Sequence, residues 1–390
     1  MGYTIALRKL KLHKGLRMPF FKYYRANLNF EKAIRYNEIY FSENKELNDP
    51  HDLKAFYYFE DDPQLWVDLL SIPPQYNTWS LESFLNCSDQ SLVKALNNVF
   101  KGISFDSLEG SIFDEIEKIK EDLLNVFESH LKEQVDSPEG FEFYADYPPS
   151  QKAQLCLQFL SALLARAVNF SLYSVSFSDL ALSPKMWAHY ADGFKGCVVI
   201  YRSHNEEYIG LGSNILDRDL KVFKYSKVNY IDSDKMIPVL ACAISGAQKV
   251  EQAFLQKNSF WDYESEYRLF SMTGSNATQH AMVKVPPKNP RVRILHHQTN
   301  DILGVIFGAR CTNDLKERVA MTLMDNRRYC GSQPFYLFDT ELTREGRVVI
   351  SSGKIQHDPS IPDIQRASGG LQQLIDDERL KIVLAELKIQ

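Results

Sequence analysis

The sequence predicts an α+β fold: a mixed or antiparallel β core, a helical insertion and a C-terminal helix. Three observations predict it. Short runs rich in β-branched and aromatic residues (MPFFKYYR, SLYSVSFS, CVVIYR, ILGVIFG) are interspersed with helical patterns along most of the chain. Between about residues 60 and 150 the pattern turns helical, with SLVKALNNVF and SIFDEIEKIKEDLLNVFESHLKEQV separated by the Pro-containing loops SIPPQYN and DYPPS. Near the end a polar Pro/Gly/Ser stretch precedes one last helical pattern, LQQLIDDERLKIVLAELK.

The elements follow in order. MPFFKYYR reads as a strand, NFEKAIRYN as a short amphipathic helix and EIYFS as a strand, after which Asn48-Asp49-Pro50 forces a turn. From Gln151 to Phe170 the apolar residues Leu155, Phe159, Leu160, Leu163, Leu164 and Ala167 trace a helical stripe. SLYSVSFS is then a strand, PKMWAHYAD a helix opened by proline, and CVVIYR a buried strand. LKVFKYSKVNY is a strand candidate and residues 235–257 a helix; YRLFSM, VRIL, ILGVIFG and PFYLFD are strands, with TNDLKERVAMTLMDN a helix among them. The expected division is residues 1–60 and 151–350 as the two parts of one core, 61–150 as the insertion, and 351–390 as a linker plus a helix whose apolar face is Leu371, Leu374, Ile375, Ile382 and Leu387.

Composition bounds the function. At 390 residues and 44% apolar content the chain can bury a large core. Six cysteines without a Cys-x-x-Cys pair argue against a zinc ribbon or a disulfide framework. No continuous signal core and no membrane-length apolar run is visible, so the expectation is a cytoplasmic protein, or one delivered by a specialised secretion system, without membrane insertion. Residues 1–25 hold seven Lys and Arg and no acid, while the net charge of −5 disfavours a broad nucleic-acid footprint. The common phosphate-binding, hydrolase and metalloprotease motifs are missing, and His296-His297 beside Asp301 is a poor metal cluster because adjacent histidines on a strand face opposite ways; no metal site is expected.

Three blocks could carry chemistry. In KNSFWDYESEYR, which includes Lys257 and Trp261, a strand entered at Tyr263 would put Glu264, Glu266 and Arg268 on one face. Two carboxylates there suit acid–base work or stabilisation of a developing cation; an exposed face with a Glu266–Arg268 pair is the alternative. In SVSFSDLALSPKMWAHYAD, Ser176 and Ser178 alternate on one strand face, and Trp187 with Tyr190 forms an aromatic surface beside His189, suited either to stacking a planar ring or to core packing. In FFKYYRANLNF and ELNDPHD, Arg25 is placed for a bidentate phosphate contact, and Asn48, Asp49 and Asp52 cap a turn or reach a ligand.

In this order, Lys22-Tyr23-Tyr24-Arg25, Asn48-Asp49-Pro50, Ser176-Phe177-Ser178, Met186 to Ala191 and Trp261 to Arg268 resemble a widespread bacterial domain family of unknown function. An Arg on an early strand, a Ser-x-Ser strand and a late Glu-x-Glu strand are also similar to the pattern of ADP-ribosyltransferases. That second resemblance implies their fold for the β core and NAD as the substrate cofactor. It implies Arg25, with Tyr24 beside it, on the pyrophosphate, Ser176 and Ser178 bracing the pocket, and Trp187 or Tyr190, next to His189, stacking on nicotinamide. Glu266 would bind the ribose hydroxyl and stabilise the oxocarbenium-like state; Glu264 would orient or deprotonate the acceptor. The function so implied is ADP-ribosyl transfer to a protein or nucleic acid, or NAD hydrolysis, by a toxin, effector or phage-defence component. The competing expectation is a non-catalytic sensor holding a nucleotide or partner in the same pocket. A third is a nucleic-acid-processing enzyme binding magnesium through Asp49, Asp52, Glu264 and Glu266.

Overall fold

The computed structural model describes residues 18–43, 46–47, 49, 52, 55–72, 81–106, 111–133, 147–167, 170–217, 219–245, 251–274, 293–330, 334–356 and 372–389. Its largest sheet has nine strands: β1 (Pro19–Tyr24), β5 (Phe170–Ser178), β6 (Cys197–Arg202), β9 (Ser226–Lys227), β13 (Glu266–Gly274), β15 (Ile302–Phe307), β16 (Phe335–Leu342), β17 (Val348–Gln356) and β18 (Gln372–Leu374). They lie in the order β18-β17-β16-β15-β6-β1-β5-β13-β9. Three smaller sheets join β2 (Glu38–Tyr40), β14 (Ile294–His297), β7 (Tyr208–Gly212) and β8 (Lys221–Lys224); β11 (Met236–Pro238), β3 (Phe56–Tyr58) and β4 (Ser104–Asp106); and β10 (Asn229–Ile231) with β12 (Gln256–Asn258). The pairing is mixed: β15 and β16 run parallel, whereas β1 is antiparallel to both neighbours, so the expected α+β architecture is the observed one.

Alternation along each central strand sends apolar side chains to both faces of the large sheet. Phe20, Val175, Phe177, Val199 and Val305 pack on one face with Phe30 and Ile34 of the helix Leu28–Tyr36 and with Val319 and Leu323 of the helix Asn313–Cys330. Phe21, Val198, Ile200 and Ile306 pack on the other with Trp187 and with Leu380, Val383 and Leu387 at the C-terminus. Asn27 starts the first of these helices by accepting the Phe30 amide (3.0 Å), and Asn37 ends it in the left-handed region at φ 53°.

A separate apolar core lies in the helical part. It includes Trp66, Leu96, Phe100, Phe127, Leu160 and Leu164. It reaches beyond the expected 61–150 boundaries, because the helix Pro149–Ala165 and the segment holding Ile237, Leu240 and Phe254 belong to the same core. The long pattern after Ser111 divides at Ile119 into Ile112–Lys118 and Lys120–Glu133.

The C-terminal helix also differs from expectation. Asp376 accepts the Arg379 amide (2.9 Å) and starts the helix at Asp377, leaving Gln372–Leu374 as an edge strand. The helical phase shifts accordingly: Leu380 and Val383 are buried, whereas Leu374 and Ile382 are exposed. Residues 351–356, expected to be linker, complete β17.

Candidate functional site

The site forms where the sheet is locally open. β1 pairs with β6 over six residues but meets β5 at one register position, Phe21 opposite Ser178. Beyond that point the two strands diverge, and Lys22 occupies the gap: its Nζ donates to the Ser176 carbonyl (3.2 Å) and lies 5.4 Å from the ring centroids of both Tyr24 and Phe177. On the other side of β5, β13 pairs over nine residues, bringing Glu266 opposite Ser178 and Arg268 opposite Ser176.

KNSFWDYESEYR does not enter the sheet at Tyr263. Asn258 accepts the Phe260 amide (3.0 Å) and starts a 3-10 helix over Ser259–Glu264, which Ser265 ends in the left-handed region at φ 42°. The strand begins at Glu266. Glu264 therefore approaches from a helix end and Glu266 from a strand, and both carboxylates converge on Lys257, whose Nζ donates at 2.6 and 3.0 Å.

Around them lies a buried charge network. Glu266 accepts from Ser176 Oγ (2.5 Å) and Arg268 Nε (2.7 Å) on one oxygen, and from Lys257 Nζ and Arg268 Nη2 (both 3.0 Å) on the other. Arg268 Nη2 also donates to Asp52 (2.6 Å), and Nη1 to the Phe254 carbonyl (2.9 Å). Lys235 approaches the second Asp52 oxygen at 3.5 Å. Glu264 accepts from the Tyr190 hydroxyl (2.5 Å), and its backbone carbonyl accepts from Ser178 Oγ (2.6 Å).

The two glutamates differ electrostatically. Burial alone would raise the pKa of Glu266, but Arg268 and Lys257 hold it well below the carboxylate range. Glu264 is raised by burial and by nearby Glu266, despite the opposing pull of Lys257. Lys257 stays protonated because Glu266, Asp52 and Glu264 outweigh its desolvation. Burial pushes Lys22 down to about 8, with Glu266 opposing the shift.

These groups line a pocket that, with its mouth, encloses about 730 Å³. Its walls include Lys22, Ser176, Ser178, Tyr190, Glu264 and Glu266, with Asp49 and Asp52 at one side. Thus Ser176, Ser178, Tyr190, Asp49, Lys257, Glu264 and Glu266, all singled out in the sequence, come together at one pocket, with Arg268 behind them. Trp261 stands beside the pocket, with Lys257 Nζ 5.1 Å from its ring.

Other expectations need correction. Arg25 follows β1, is exposed and does not line the pocket; Lys22 is the β1 cation that does. Tyr24 faces the core, its hydroxyl 3.1 Å from that of Tyr201. Trp187 is fully buried, donates its indole N–H to the Ala181 carbonyl (3.0 Å) and meets Tyr23 edge-on, so the core-packing alternative holds and no stacking face is available. His189 is exposed and lies near Tyr263, with ring centroids 6.2 Å apart. Asn48 lies outside the described residues. Asp52 faces Arg268, Lys257 and Lys235 rather than a free cation position, and no group of three His, Cys, Asp or Glu among the described residues is placed to hold a metal ion.

Lys235 and Tyr230, whose hydroxyl accepts the Glu266 amide (2.9 Å), went unrecognised in the sequence. Neither sits in a motif: Tyr230 lies on β10, in a stretch that reads as strand, and Lys235 immediately precedes β11, where the sequence pattern points instead to the start of a helix.

No described helix is long and apolar enough to cross a membrane. No curated protein and no solved structure matches the chain. Residues 186–269, from the Trp187 helix to the Glu266 strand, match the model of a family described as "Protein of unknown function (DUF2971)". That segment, which carries Tyr190, Lys257, Glu264, Glu266 and Arg268, is where the chain is similar to this family.

Proposed function

We propose that the pocket binds NAD, breaks its nicotinamide–ribose bond and passes the ADP-ribosyl group to a protein, a nucleic acid or water, as a toxin, effector or phage-defence component would. One observation carries this reading: the strands bearing Lys22, the Ser-x-Ser pair and Glu266 are adjacent as β1-β5-β13, and their motif ends share one pocket. Departure of neutral nicotinamide builds positive charge on the ribose, and fixed carboxylates in a largely dry site stabilise such charge. Glu264 is the acting carboxylate here. Its raised pKa allows it to take a proton from the acceptor, whereas Glu266, gripped by four donors, supplies a fixed negative field. The acid-rich lining suits the cationic nicotinamide-ribosyl end, leaving the diphosphate toward the mouth.

The test is nicotinamide release from NAD by the wild type, Glu264→Gln and Glu266→Gln. General acid–base catalysis contributes roughly 10²–10⁴-fold, and Glu264→Gln should lose on that order. Release at the wild-type rate by this variant would overturn the assignment. One observation favours the second reading, a binding module without turnover: both Glu266 oxygens are already doubly engaged. That reading predicts that NAD raises the melting temperature while no nicotinamide appears.

A further inference from the structure

Beside the pocket, three rings form a continuous strip. His189 and Tyr263 have centroids 6.2 Å apart at 37°, and Tyr263 and Trp261 6.1 Å apart at 40°. The helix Pro184–Tyr190 supplies the histidine and the 3-10 helix Ser259–Glu264 the other two. The strip borders the pocket at both ends: Tyr190 follows His189 and lines it, and Lys257, also in the lining, lies under Trp261. His189 is exposed, Trp261 and Tyr263 are half-buried, and neighbouring Phe260 is 83% exposed. Lys185 places its ammonium 4.9 Å from the Tyr263 centroid.

Flat rings beside ammonium groups complement a ligand that is itself flat at one end and anionic at the other. The pocket beside it is a different kind of surface, with five carboxylates and the two lysines Lys22 and Lys257 in its lining. Together the two surfaces divide a dinucleotide by charge: a cationic half inside and an anionic, ring-bearing half outside.

We infer that the strip His189–Tyr263–Trp261 seats the purine of an adenine nucleotide, with Lys185 meeting its phosphate. The choice of adenine rests on the NAD reading; the stacking of a planar anionic ligand rests on the strip alone. Purine nucleotides stack here by dispersion and ring electrostatics, so the site tolerates base exchange better than loss of a ring.

The test uses the full-length protein and two probes, ADP and nicotinamide mononucleotide. Trp261→Phe run beside the wild type assigns the change in emission to Trp261 among the four tryptophans of the sequence. ADP should quench the Trp261 emission saturably, and Tyr263→Leu should weaken ADP binding about tenfold, within the range of stacking energies measured per base. Lys185→Met should weaken ADP more than adenosine, and nicotinamide mononucleotide should bind the wild type and Tyr263→Leu alike. If ADP fails to bind while NAD is bound or consumed, the strip has no such role and the NAD reading stands. Unchanged ADP affinity in Tyr263→Leu also overturns the inference. If ADP binds through Tyr263 but NAD is neither held nor cleaved, the NAD reading falls and the nucleotide strip stands.

Discussion

Arg268 grips Glu266 along its edge, Nε to one oxygen at 2.7 Å and Nη2 to the other at 3.0 Å, although the two are only two residues apart on the same strand. The same Nη2 reaches Asp52, which lies on the loop leading into the helical part. The pair thus ties the large sheet to the helical core. Removing one partner of a buried ion pair costs about 3–5 kcal/mol, because the remaining charge is left uncompensated. Glu266→Gln should therefore lose stability on that order in urea denaturation, and a variant as stable as the wild type would remove the clamp from the account.

Glu264 and Glu266 should give opposite pH signatures. Glu266 has a folded-state pKa below the unfolded value of about 4.3, so its contribution is present above that value and lost as pH falls through the folded one. Glu264 has a raised folded-state pKa, so stability declines as pH rises from about 4.3 through that folded value. Denaturation profiles across acid pH should show the second slope flattened in Glu264→Gln. Parallel wild-type and variant profiles would contradict it.

Lys22 gives a signature on the alkaline side. Its folded-state value of about 8 lies below the ordinary lysine value of about 10.4, so the unfolded chain binds more protons between the two and stability rises with pH there. Lys22→Met should abolish that rise. A wild-type curve that falls over the same window would refute the lowered value.

Ligand affinity separates the two β1 cations. Lys22→Met should weaken NAD binding severalfold, whereas Arg25→Ala should leave it within about twofold, as expected of an exposed side chain outside the pocket. Calorimetric titration of both variants decides this, and the reverse pattern would restore Arg25 as the anchoring cation.

Trp187 is predicted to matter for folding alone. Trp187→Phe leaves a small cavity and an unpaired Ala181 carbonyl, a loss of about 1–3 kcal/mol. Gly308→Ala should be harsher, since its Cβ would meet Trp187 at 2.9 Å and collide with the Phe194 carbonyl. Thermal melts measure both, with ligand affinity in Trp187→Phe unchanged.

Local pattern made much of this legible. Alternation located β5, a continuous apolar run located β6, and the proline at Pro184 marked the start of the short Trp187 helix. What periodicity does not encode is which face meets which partner. Trp187 and Tyr190 sit in one short helix, yet one is swallowed by the core under β1 and the other turns to Glu264. The phase of KNSFWDYESEYR depended on Ser265 adopting a left-handed backbone, which a serine signals poorly. Lys22, two positions before the end of β1, carried no site expectation of its own, because nothing in the sequence shows that β1 and β5 part after Phe21.

That parting has a mechanical meaning. On one side of it stand β5, β13 and β9, with Glu266 on β13; on the other, six strands carry the C-terminal helix. The backbone joins them at one register position, and a lysine side chain helps to close the remaining span. A molecule seated in the opening would touch both banks and act as a splint, so filling the pocket and stiffening the sheet across its weakest joint would be a single event.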